Sequence, residues 1–260
     1  MVRVAALAAA AFVSAASAQP MPDYDRAMQT SRSVIDRPIG DHVLQDRLRR
    51  EVRLSDYRGK PLVASFVYTS CSQACPVTTQ FLATAVKAAR QALGDSAFNV
   101  VTIGFNQPFD SPEAMAAFAR QNGIGDPHWE FLSPDAKDVQ ALTREFGFTY
   151  YATPKGFDHI AQLTVVDAAG TVYRQIYGEN FELPQLVGPL KELLSGQAVR
   201  AGGVAGLWTK VKLFCTVYDP ATGGYRVSYS LFFEIAIGAS VLVGIAWFLI
   251  HERRKIKQGA

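Results

Sequence analysis

Apolar positions along the chain follow two periods, and their alternation predicts the fold. Pro61 to Tyr68 is a continuous apolar run rich in strand formers, as for a central strand covered on both faces. From Pro76 the pattern becomes helical, with Val77, Phe81, Leu82, Val86 and Ala89 near one face through to Leu93, and Gly94 as the stop. Asn99 to Ile103 is a second buried strand. Ser111-Pro112 places an N-cap before a proline at the first helical position, predicting a helix to about Gln121. Ser133-Pro134 repeats the device and predicts a helix to about Phe146. Gln162–Val166 and Val172–Ile176 flank Asp167-Ala168-Ala169-Gly170 and read as a hairpin. A last helix is predicted from Pro184 to Leu194, closed by Gly196. Upstream, Val52 to Lys60 reads as a short strand and turn. This order predicts an α/β, thioredoxin-like domain over residues 51–197 with an insert and parallel strands in its middle.

The ends carry different patterns. Residues 1–18 have one early charge, Arg3, an apolar run from Val4 to Val13, and Ala16-Ser17-Ala18, which together predict a cleaved signal peptide. Residues 19–50, with Pro20, Pro22 and Pro38 and little periodicity, are expected to be an N-terminal leader. Residues 198–230 contain a second hairpin signal around Asp219 to Gly224, placed next to the membrane. Residues 231–250 are almost wholly apolar and long enough for a single transmembrane helix. Residues 251–260 follow with Arg253, Arg254, Lys255 and Lys257, a basic cytoplasmic tail by the positive-inside tendency. The predicted topology is a bacterial-type inner-membrane protein with one pass and its main domain in the periplasm.

The whole sequence has 260 residues and a formal net charge of +3. No basic patch points to nucleic acid. Three cysteines, Cys71, Cys75 and Cys215, are an odd number. A close pair and a distant single argue against a disulfide scaffold and towards redox or metal chemistry.

The chemistry concentrates at Cys71-Ser72-Gln73-Ala74-Cys75-Pro76, where a central strand runs into a helix. In open α/β sheets ligands collect at that edge, and a helix N-terminus favours the thiolate that both metal binding and disulfide exchange require. The spacing suits two sulfurs converging on one ion, and equally suits a disulfide. Of the four histidines, His42 lies in the leader, His128 before Trp129 and His251 in the tail. His159 falls just before the strand at Gln162, where a thioredoxin fold brings a loop over its cysteines. Two thiolates and one imidazole make a soft site suited to Cu(I) and adaptable to Cu(II). Structural zinc prefers four ligands, and only Asp158 is nearby.

Leu54-Ser55-Asp56-Tyr57-Arg58-Gly59-Lys60-Pro61, the stretch Phe66 to Pro76, and Asp158-His159 together resemble the SCO/SenC copper-chaperone family over about Val52 to Leu194. The resemblance implies a thioredoxin-like domain that binds copper through Cys71, Cys75 and His159 and assists assembly of the copper centre of cytochrome c oxidase. It implies as partners the copper-bearing oxidase subunit or another periplasmic copper chaperone. Two positions depart from the family pattern. Ser72 stands where proline usually follows the first cysteine, and Asn106 replaces the first acid of a stretch in which Asp110 is retained.

The leading expectation is therefore a membrane-anchored copper metallochaperone rather than an enzyme. The alternative is a thiol–disulfide oxidoreductase that uses Cys71 and Cys75 as a redox-active pair and has no need of His159. Cys215 is expected to be a small buried residue of the juxtamembrane hairpin, with copper relay or inter-chain pairing as the sharper alternative.

Overall fold

The computed structural model describes residues 22–72, 74–201, 216–219, 224–227, 237–240, 244–245 and 247. In chain order its elements are α1 (Tyr24–Ser33), β1 (Val43–Gln45), β2 (Glu51–Arg53), a 3-10 turn (Leu54–Tyr57), β3 (Leu62–Val67), α2 (Ala74–Leu93) and β4 (Asn99–Gly104). There follow α3 (Pro112–Gln121), β5 (Trp129–Pro134), α4 (Val139–Glu145), β6 (Tyr150–Thr153), β7 (Gly156–His159), β8 (Gln162–Val166), β9 (Val172–Tyr177) and α5 (Leu183–Ala201). A hairpin of β10 (Thr216–Asp219) and β11 (Gly224–Val227) lies against α2.

Among the described residues the main sheet has seven strands in the order β2-β1-β5-β4-β3-β8-β9. Strands β3, β4 and β5 run parallel, joined by the crossover helices α2 and α3. The hairpin β8–β9 continues antiparallel from β3, and β1 and β2 do the same beyond β5. Every residue of β3 is buried, because helices and strands cover both of its faces. Its one polar side chain, Ser65, shares a hydrogen with Thr102 of β4 at 2.9 Å, and the Trp129 indole of β5 donates to the same Thr102 hydroxyl at 2.9 Å. This is the thioredoxin-like arrangement the hydrophobic pattern predicts.

Three expectations need correction, and one element is new. Residues 19–50, read as an irregular leader, contribute α1 and β1 to the domain. The buried face of α1 is built from Ala27 and Ser31, residues too small and too polar to register as an apolar stripe. Ile39 and Leu44 are buried beyond it. Ser133-Pro134 does not open a helix but ends β5, whose Trp129, Phe131 and Leu132 are fully buried. A proline at a strand terminus withholds no ladder hydrogen bond that the sheet requires. The hairpin β6–β7 was not foreseen at all. Helix α5 passes through Gly196 to Ala201, since that glycine has no left-handed backbone with which to cap it.

Among the described residues no helix is long and apolar enough to cross a membrane. The predicted span 231–250 lies largely outside them; residues 237–240, 244–245 and 247 are helical. The signal segment 1–18, Cys215, His251 and the tail 251–260 also lie outside the described residues.

Candidate metal centre

The site begins where β3 ends. Tyr68 is the last buried residue, and the Cys71 N–H donates to the Tyr68 carbonyl at 3.1 Å, closing a tight turn that brings Cys71 over the end of the strand. Asp110 holds this turn in place. Its carboxylate, fully buried, accepts from the Thr69 N–H and the Thr69 hydroxyl, both at 2.7 Å, and from the Asn106 N–H at 2.7 Å. Burial pushes the Asp110 carboxyl up, against these hydrogen bonds, which pull it down.

Helix α2 starts at Ala74, so Cys75 lies within its first turn and is only 4% exposed. Cys71 is half-buried and Ser72 exposed. The Cys75 N–H donates to the Cys71 sulfur at 3.3 Å. Both cysteines are present as thiols and not as a disulfide. Desolvation pushes the Cys75 thiol up to about 12, with the neighbouring Cys71 sulfur and the Asp110 carboxylate adding to the rise.

His159 ends β7, opposite Tyr150 on β6. Its ring sits against Phe148 at 5.1 Å and Phe105 at 6.0 Å between centroids. The Nδ1 atom lies 3.1 Å from the Ile160 carbonyl oxygen, which can only accept. In the neutral imidazole Nδ1 therefore carries the hydrogen and Nε2 keeps its lone pair for a ligand. Cys75 and His159 both line a cavity of about 170 Å³ between the start of α2, the end of β3 and the hairpin β6–β7. Asp158 and Glu179 line it too.

Thus the fold joins Cys71 to Cys75 directly and places His159 at the cavity that Cys75 lines. It does not bring the three into one coordination sphere. Among the described residues no three His, Cys, Asp or Glu side chains converge closely enough to hold an ion as they stand. The donor set itself fits a soft metal: two thiols and an imidazole nitrogen with an available lone pair. His42 is engaged elsewhere, 2.8 Å from Glu145 at the far end of α4, and His128 lends its carbonyl to Arg90.

Residues 11–195 match the SCO1/SenC family model. The chain belongs to the SCO1/SenC family. Solved structures share the fold. One, from Aquifex aeolicus VF5 and provisionally described as an electron transfer protein, is 26% identical, with a TM-score of 0.55 over 60% of this chain and 92% of that one. ScoI of Bradyrhizobium japonicum, solved with copper bound, is 22% identical, with a TM-score of 0.51 over 59% and 98% of the two chains. BsSco, a member of the Sco family of cytochrome c oxidase assembly proteins, is 18% identical, with a TM-score of 0.54 over 60% and 92%. No curated protein matches the chain.

Two site residues of this SCO1/SenC chain escape a reading of motifs alone. Asp110 stood out only as a retained acid, whereas its position makes it the anchor of the cysteine turn. The change at Asn106 leaves that anchor intact, because residue 106 contributes its backbone N–H. Tyr68 packs edge-on to Phe157 at 5.2 Å and to Phe105 at 5.7 Å, linking the cysteine turn to the hairpin that carries His159. Its phenol is pushed up to about 12, first by burial and then by the nearby Cys71. As an aromatic residue in a strand pattern, it carried no signal beyond the core.

Proposed function

We propose that the protein is a copper metallochaperone that carries one ion on Cys71, Cys75 and His159 and delivers it during assembly of the copper centre of cytochrome c oxidase. The observation that carries this reading is the cavity shared by Cys75 and His159 beside the Cys71 turn. Thiolate sulfur and imidazole nitrogen together suit Cu(I) and accept Cu(II). Capture requires the hairpin β6–β7 to bring His159 inward, and it requires both thiols to give up their protons. A site that exchanges ligands in this way can load and unload cargo without turnover. The copper-bound state of the Bradyrhizobium japonicum relative supports the same cargo.

The location belongs to the same proposal: export by residues 1–18, a single span at 231–250, and the copper domain held at the periplasmic face of the inner membrane. A tether of this kind raises the effective concentration of carrier and membrane-bound client. The partner is the copper-bearing oxidase subunit or another periplasmic copper chaperone.

Metal analysis with optical and paramagnetic spectroscopy on the purified protein tests the reading. Wild type is expected to bind one copper per chain, and His159→Ala to lose Cu(II) affinity by at least about a hundredfold, since changing even an outer-shell partner of a ligand typically costs about 10–100-fold. Full binding by His159→Ala would overturn the three-ligand site.

The unequal exposure of the two thiols favours a second reading, thiol–disulfide exchange. Cys71 would attack a substrate disulfide and Cys75 would resolve the mixed disulfide. The pair is then oxidised by two electrons, and the substrate gains two electrons and two protons. Turnover of a disulfide substrate by metal-free protein, unchanged in His159→Ala, would establish that activity.

A further inference from the structure

Two neighbouring rungs of the β6–β7 hairpin have different surroundings. Tyr150 pairs with His159. This rung faces the aromatic cluster, with the Phe105 ring 4.6 Å from that of Tyr150. The adjacent rung is Tyr151 opposite Asp158, and strand alternation turns it the other way. There it meets the start of α1. The Tyr24 hydroxyl donates to Asp158 Oδ2 at 2.7 Å, and the Tyr151 hydroxyl donates to the Asp23 carbonyl at 3.0 Å. One strand each, both sides of the hairpin are tied to a single helical turn. That turn is itself anchored. The Asp23 carboxylate caps α1 by accepting from the Arg26 N–H at 2.9 Å, and Ala27 and Ser31 are buried against the domain.

We propose that Tyr24 and Tyr151 latch the His159 hairpin to helix α1, so that the N-terminal helix opposes closure of His159 onto the cysteine pair. The proposal rests on the copper-carrying reading of Cys71, Cys75 and His159. In the latched arrangement the three donors do not converge. Drawing the imidazole inward pulls the Tyr150–His159 rung, and the hairpin's cross-strand bonds oblige the Tyr151–Asp158 rung to follow. The contacts to Asp23 and Tyr24 then stretch or break. Both are solvent-exposed, so the latch tunes the equilibrium modestly, by about two- to tenfold in copper affinity. Linkage makes the effect reciprocal: copper binding loosens the start of α1, and the state of the N-terminal segment sets how firmly the cargo is held. Tyr24 and Tyr151 are positioning residues in this account, since they act on His159 through the hairpin.

The test measures Cu(II) affinity by competition titration on the full chain, together with amide hydrogen exchange of α1 and the hairpin in metal-free protein. The variants are Tyr24→Phe/Tyr151→Phe, which keeps both rings, and Tyr173→Phe. The latter removes an exposed phenol contact of the same kind, from Tyr173 to Glu192 on α5 at 2.5 Å, and touches neither α1 nor the hairpin. The double variant is expected to bind copper about two- to tenfold more tightly and to exchange its hairpin amides faster, while Tyr173→Phe keeps wild-type affinity. Equal or weaker copper binding by a folded double variant overturns the latch, as does the same gain in Tyr173→Phe. Wild-type protein that takes up no copper overturns the carrier reading instead. In that case unchanged hairpin exchange in the metal-free double variant overturns the latch.

Discussion

The backbone N–H of Cys75 points at the sulfur of Cys71, 3.3 Å away, so the helix that buries one thiol also offers a donor to the other. The pair is therefore unequal before any ligand arrives. Cys71 is half-buried, whereas Cys75 is only 4% exposed and its thiol is held in the protonated form by desolvation.

Alkylation should expose that inequality. Limiting iodoacetamide at neutral pH is expected to label Cys71 at least about tenfold faster than Cys75, because the thiolate is the reacting species and burial denies it to Cys75. Peptide mapping scores each cysteine separately. Equal rates would contradict the assigned burial.

Stability should fall in alkali for the same reason. The folded Cys75 thiol is pushed up to about 12 from its ordinary 9.0, so its contribution is fully present below pH 9 and is lost as pH rises through 12. Within that window the unfolded chain has released the proton and the folded chain has not. Stability therefore declines by up to about 1.4 kcal/mol per pH unit. Cys75→Ala removes this component, leaving the slope contributed by the raised phenols of Tyr24, Tyr57, Tyr68, Tyr150 and Tyr173. Denaturant titrations of wild type and variant across the window check the difference, and parallel slopes would refute it.

Asp110→Ala removes the shared acceptor of three donors: the Thr69 N–H, the Thr69 hydroxyl and the Asn106 N–H. Stranding them in a buried site is expected to cost about 2–4 kcal/mol. Asp110→Asn, which keeps one acceptor oxygen, should lose clearly less. Urea unfolding of the two variants separates the outcomes, and a loss no greater than for an ordinary surface substitution would deny Asp110 its anchoring role.

Gly156→Ala tests the packing between the hairpin and the cysteine turn. Gly156 has φ +121°, and a Cβ there would lie 2.7 Å from the Tyr68 hydroxyl oxygen. Backbone strain and overlap together should cost about 2–4 kcal/mol. Gly59→Ala is the control: its φ is +90°, but a Cβ would meet nothing within 4 Å. It should cost only the backbone part, about 1 kcal/mol. Equal thermal shifts for the two variants would show that the Tyr68 contact does not restrain the hairpin.

Much of the fold was legible because its signals are local. The β3 run, the face of α2, the Ser111-Pro112 cap and the β8–β9 hairpin each announce themselves within a few residues, and all appear where expected. Two of the misses share one cause. Ala27 and Ser31 on α1 and Ser133-Pro134 on β5 take their conformations from what packs around them, which no short window contains. Gly196 is exposed, with open space around it, and simply keeps the helical backbone of α5. The hairpin β6–β7 is a two-stranded element outside the main sheet, with half-buried residues throughout β7 and no apolar alternation to mark it.

By itself the sequence determined the kind of chemistry: two thiols at a strand-to-helix junction and a histidine downstream, on a thioredoxin-like frame. Composition and spacing suffice for that, because donor type and local periodicity are properties of the chain. Only the tertiary structure decided how the donors stand to one another. Cys71 and Cys75 meet because a single turn and a single helix carry them. His159 arrives on a separate hairpin, whose distance from the thiols depends on Tyr68, Phe105 and the first turn of α1. Those contacts join residues far apart in sequence, and packing across such separations leaves no mark on any one segment.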